Sequence, residues 1–137
     1  MADKPKMMFI ISSGTEAKEK AISGLRMAIN IAKSGSAEEV RVMFFGPSEE
    51  MISGRDQVID DLLQDAASLG LYKTACSMIA KNKNIEKELA GKGITLEPAG
   101  KVLIEAMLIA ILSPLIAFSF ASVPLEIMNI IFGLSAI

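Results

Sequence analysis

Histidine is absent from this chain, and cysteine occurs once, at Cys76. Without histidine there is no Ser-His-Asp or Cys-His nucleophile pair and no histidine-ligated metal site. A single cysteine rules out an internal disulfide and a zinc cluster within one chain, and a reduced cytoplasm is the natural setting for an unpaired thiol. A basic excess is also missing: 14 Lys and Arg stand against 16 Asp and Glu, a formal net charge of −2. The few Phe and the one Tyr are not interleaved with Lys or Arg, so the footprint of a nucleic-acid binder is lacking. The amino-terminal stretch MADKPKMMFIISSG has too short an apolar run and no small-residue cleavage pattern, and does not read as a signal peptide. The turn SSGT lacks both the GxGxxG and the Walker-type lysine spacing, which leaves nucleotide binding without a motif. The adjacent acids Glu49-Glu50 and Asp60-Asp61 read as surface pairs, and nothing sets two carboxylates across a cleft.

What is present is apolar residue in excess. The chain has 137 residues, 51% of them hydrophobic, enough for one domain with a real core. All Lys and Arg lie at or before Lys101, and beyond it only Glu105 and Glu126 carry charge, so the apolar excess is concentrated in the tail.

Periodicity places the elements. Lys6 to Ser12 (KMMFIIS) reads as a strand buried on both faces, closed by SSGT. From Thr15, taken as N-cap, apolar positions recur at Ala21, Ile22, Leu25, Ala28, Ile29 and Ala32, the pattern of an amphipathic helix. Val40 to Phe45 is a second strand, ending at Gly46-Pro47. A helix from about Asp56 carries Val58, Ile59, Leu62, Leu63 and Ala66 on one stripe, with Asp56, Asp60, Asp61 and Asp65 on the solvated side. Leu71 to Ala75 is a third strand running into Cys76, a helix spans Ile85 to Ala90, and Ile94 to Glu97 is a fourth strand.

Such alternation forces crossovers between parallel strands. The expected fold is therefore α/β: three layers, α/β/α, around a mostly parallel sheet of about five strands, followed by an apolar C-terminal tail. Ligands of open parallel sheets gather at the carboxyl ends of the strands, which nominates Ser12 to Thr15, Gly46 to Glu50 and the segment from Cys76. A cysteine is often plain core filler. Its place at a strand end, before a helix whose first amides favour a thiolate and near Lys73, Lys81 and Lys83, sets a second reading beside that one. A lone thiolate with no base or second cysteine can still accept a sulfur atom as a persulfide and pass it on.

Three stretches, KMMFIISSGTEAKEKAISGLRMA, EEVRVMFFGPSEEM and LYKTACSMIAKNKNIEKELAGKGITLEPAGKVL, resemble the DsrE/DsrF-like family of small α/β sulfur-relay proteins. The likeness spans roughly residues 6 to 105 and rests on element order and on a cysteine after the third strand. It implies a sulfur carrier or sulfurtransferase-like protein with Cys76 as the catalytic residue holding the persulfide. It also implies a trimer or hexamer and a sulfur donor or acceptor protein as partner. No metal or organic cofactor is called for. The alternative is a non-catalytic oligomeric binding module of the same fold with a structural cysteine.

Residues 1–105 are thus expected to form the DsrE/DsrF-like domain and residues 106–137 an apolar segment with two readings. The stretch 106 to 125 carries no charge until its end and, as a helix, matches a bilayer's thickness of about 30 Å. The lysines before it and none after it would keep the domain cytoplasmic. On the other reading, Pro114 ends a helix that begins near Gly100 and leads into a last strand, Leu115 to Phe120. Residues 127–137 then need a cover such as an oligomer interface.

Overall fold

The computed structural model describes residues 4–112 and 116–121. Five strands, β1 (Lys6–Ile11), β2 (Glu39–Phe44), β3 (Tyr72–Cys76), β4 (Thr95–Glu97) and β5 (Ile116–Ala121), alternate with helices. The helices are α1 (Lys18–Ser34), α2 (Pro47–Ser53), α3 (Gln57–Ser68), α4 (Ser77–Asn82), α5 (Glu86–Gly91) and α6 (Ala99–Leu112), with a 3-10 turn at Thr15–Ala17. All strands are parallel and lie in the order β4-β3-β2-β1-β5. The fold is the α/β architecture that the alternation predicts.

The order explains the layers. Steps from β1 to β2 to β3 to β4 all travel one way, and right-handed crossovers then set every connecting helix on the same face. The return from β4 to β5 runs back past β1, so α6 lands on the opposite face. Side chains record this split with the period of two that a strand imposes. Phe9 and Ile11 of β1 and Val40, Val42 and Phe44 of β2 join α1 residues Ile22, Leu25 and Ile29 and α3 residues Ile59 and Leu63 in the larger apolar cluster. Met8, Ile10 and Met43 point the other way and meet Val102 and Ala106 of α6.

Several local details differ from the periodicity reading. Thr15 is not a cap: Gly14 caps the 3-10 turn, α1 starts at Lys18, and neither start has a side-chain cap bond. Instead the Glu16 carboxylate accepts the Gly14 amide at 2.8 Å. Asp56 is a true N-cap, accepting the amides of Val58 and Ile59, and also holds the Lys18 ammonium. The segment from Gly46 is not an open loop, because Pro47 opens α2. A proline at the first helical position costs nothing there and presets the helical φ.

Within the described residues the stretch from 106 to 125 is not one helix: α6 ends at Leu112, and β5 begins at Ile116 and pairs with β1. No helix among the described residues is long and apolar enough to cross a membrane. Pro114, Pro124 and the segment 127–137 lie outside the described residues.

Candidate functional site

Three connections meet at the carboxyl edge of the sheet. The Phe45 amide reaches back to the Ile11 carbonyl at 3.0 Å, tying the end of β2 to the end of β1. Ser48, fully buried, repeats the tie: its Oγ donates to the Ile11 carbonyl at 2.6 Å and accepts the Phe45 amide at 3.0 Å. Gly14 is pressed against this junction, since a Cβ there would come within 2.6 Å of the Pro47 carbonyl oxygen. Gly46 turns the chain with φ +71°, a conformation that side chains with a Cβ rarely adopt.

Glu49 is the third residue of α2 and is 0% exposed. Its Oε2 accepts the Gly46 amide at 3.1 Å. This is the carboxylate half of a capping box, glycine having no side chain to return the bond. Its Oε1 has no hydrogen-bond partner among the described residues. Burial raises its pKa from 4.5 to about 7, against the opposing pull of the Gly46 amide and the nearby Cys76 amide. The Cys76 amide acts on the carboxyl without closing a bond to Oε1. Glu49 therefore changes charge near neutral pH, at the end of β3.

Cys76 is the last residue of β3 and the N-cap of α4. It is a free thiol, 6% exposed, and counts among the buried apolar residues of the core. Strand alternation puts it with Tyr72 and Thr74 on the face of α6, beside Glu97 in the register of β4. Of the three lysines expected near it, none is placed at the thiol. Lys73 is buried on the opposite face with Ala75, its ammonium beside Gly93, and burial lowers its pKa. Lys83 pairs with Glu50 at 3.2 Å, and Lys81 is exposed in the last turn of α4.

The expected surface pair Glu49-Glu50 is therefore split: Glu50 is exposed, and Glu49 is sealed inside. The sequence does carry a signal for this. A Gly-Pro step followed by an acid at the third helical position marks a helix start whose carboxylate turns back onto its own N-cap. No group of His, Cys, Asp and Glu among the described residues has the geometry to hold a metal ion. What the edge offers is a thiol, a buried carboxyl that can take or release a proton, and converging backbone amides.

No family model matches the chain, and no curated protein does. Among the solved structures that share its fold are the following two. The conserved protein of unknown function BT1422 from Bacteroides thetaiotaomicron superposes with a TM-score of 0.69 at 17% identity, over 82% of this chain and 93% of that one. The ychN protein from E. coli does so with a TM-score of 0.62 at 12% identity, over 85% and 98% of the two chains. At these identities the likeness is one of fold.

Proposed function

We propose that the protein is a sulfur carrier of sulfurtransferase type, which takes sulfane sulfur onto Cys76 and hands it to a partner's thiol. The observation that carries this reading is the position of the chain's one thiol. It ends a parallel strand at the carboxyl edge and is the N-cap of α4, with the buried Glu49 carboxyl close to its amide. The DsrE/DsrF-like resemblance supports the same chemistry. In this reading the chain works as a trimer or hexamer in the cytoplasm, where a lone thiol stays reduced.

Each step balances without a cofactor. The Cys76 sulfur attacks the outer sulfur of a donor persulfide, a new S–S bond forms, and the donor's S–S bond breaks with its electron pair leaving on the donor sulfur. The proton released by Cys76 ends on that leaving thiolate. Discharge is the same exchange with an acceptor thiolate attacking and Cys76 leaving. Incubation with a persulfide donor followed by intact mass measurement tests this: one added sulfur on wild type and none on Cys76→Ser. Absence of sulfur on wild type, under conditions that load an established carrier, contradicts it.

The low exposure of Cys76 favours one other reading, an oligomeric binding module in which the thiol is packed. There Cys76→Ser leaves assembly, read by light scattering, and partner binding intact.

A further inference from the structure

Lys73 is the one buried basic residue among the described residues, 6% exposed, and shares with Ala75 the face of β3 turned to the larger apolar cluster. No hydrogen bond or ion pair among the described residues reaches its ammonium. The charged groups around it are committed elsewhere. Asp60 and Asp65 of α3 are taken by Lys92 at 2.6 Å and Lys33 at 3.4 Å. Glu97 of β4 lies on the other face, held by Lys101 at 3.7 Å, and Arg41 of β2 stacks there over the Tyr72 ring. Glu86 and Glu88 of α5 and Lys81 of α4 are exposed. An ammonium withdrawn from water without a counter-charge is penalised relative to the free amine, and the pKa of Lys73 is lowered by burial accordingly.

The amine is nevertheless reachable. Gly93, in the turn between α5 and β4, has φ +73°, and a Cβ there would lie 3.8 Å from the Lys73 Nζ and, its chain neighbours aside, would meet no other heavy atom within 4 Å. Space of at least one carbon atom is therefore open beside the amine. Nor is Nζ itself sealed, since Glu49 Oε1 is the one side-chain polar atom among the described residues that is both sealed and without a hydrogen bond. A packed stem with its head at an opening is the usual accommodation of a lysine in a core. Lys73 differs in having so little contact with water and no acid to meet the head.

We propose that Lys73 is an acyl-acceptor site, modified on Nζ by small acyl thioesters, with the open space at Gly93 receiving the acyl group. The ammonium first gives a proton to water. The neutral Nζ then attacks the thioester carbonyl carbon, an N–C bond forms, the C–S bond breaks with its electron pair on sulfur, and the remaining acidic proton of the nitrogen ends on that thiolate. The product amide is uncharged, so the reaction removes the charge that burial penalises. Methylation or a protonated Schiff base would leave a positive charge in the same place, which is why acyl transfer is the modification this environment favours. At Lys18, Lys33, Lys83, Lys92 and Lys101, by contrast, acylation would strip an acid of its partner. The site lies on the opposite face of β3 from Cys76 and does not depend on the sulfur-carrier reading.

The test is a labelling race among the lysines of the folded full chain. The protein is incubated near neutral pH with the acetyl thioester of N-acetylcysteamine, and acetylation of every lysine is followed over time by peptide mass mapping. Lys73 is expected to acquire acetyl roughly three- to tenfold faster than the exposed Lys81 and Lys87, because more of it is present as the free amine. Labelling of Lys73 at or below the rate of those two overturns the proposal. The missing counter-charge has its own measurement. Lys73→Met keeps a stem of similar length and deletes the ammonium, and it should unfold at a higher urea concentration than wild type. A midpoint at or below that of wild type contradicts the unpaired charge on which the proposal stands.

Discussion

Glu49 and Asp56 both stand at the start of a helix, where the exposed amides favour a negative charge, yet they are driven in opposite directions. Asp56 caps α3. One of its oxygens takes the Val58 and Ile59 amides at 3.1 and 3.2 Å, the other takes the Lys18 ammonium, and the side chain stays in contact with water. The Lys18 hydrogen bond, followed by the Ile59 amide, holds its pKa below the usual 3.8. Glu49 receives the Gly46 amide and the influence of the Cys76 amide, is sealed from solvent, and keeps one oxygen without a partner among the described residues. Burial outweighs its two amides and lifts it to about 7. Position at a helix start does not decide the charge of a carboxyl; the balance of donors against lost water does.

The largest expected effect concerns Glu49. A carboxyl whose folded pKa is raised contributes its stability in full below the ordinary value of 4.5 and loses it as pH rises to about 7. The full swing is about 3 kcal/mol, and because part of it is already lost at pH 5, urea unfolding at pH 5 and pH 8 should differ by about 2.5 kcal/mol from this group alone. Glu49→Gln, which cannot ionise, should narrow the difference; an unchanged difference would erase the contrast with Asp56. Ser48→Ala comes next. It strips the Ile11 carbonyl and the Phe45 amide of a buried partner and should cost about 1–3 kcal/mol by the same unfolding measurement.

Asp56→Asn should show the opposite pH sign to Glu49. The contribution of Asp56 is present above the ordinary carboxylate value and is lost as pH falls through its lowered folded value. The variant is therefore less stable than wild type at neutral pH, and the gap closes in acid. The smallest effect is expected at Lys33 and Asp65, an exposed pair 3.4 Å apart. Removing either partner should change stability by about 0.5 kcal/mol or less.

The strands β1 and β2 were legible as short runs of β-branched or long apolar residues, and β3 and β4 from the glycines that precede them and the proline that follows β4. The same holds for α1 and α3, whose apolar spacing runs over several turns. Two short helices, α2 and α4, escape such a reading: seven and six residues are too few to establish a period, and Pro47 looks like a breaker although it starts a helix. The candidate site was legible in half. Cys76 stands out as the chain's one thiol at a strand end. Glu49 does not, because two adjacent acids look alike in sequence, and only the turn of α2 sends one outward to Lys83 and the other into the sheet edge. The placement of the lysines was not legible either, since it depends on which face of β3 each position occupies.

Carbon-detected NMR titration of the side-chain carboxyls addresses the buried acid directly. The account predicts that Glu49 titrates with a midpoint near 7 while Asp56 titrates below 3.8. A Glu49 midpoint near the ordinary 4.5 would mean that water reaches the carboxyl, and the contrast with Asp56 would fall with it.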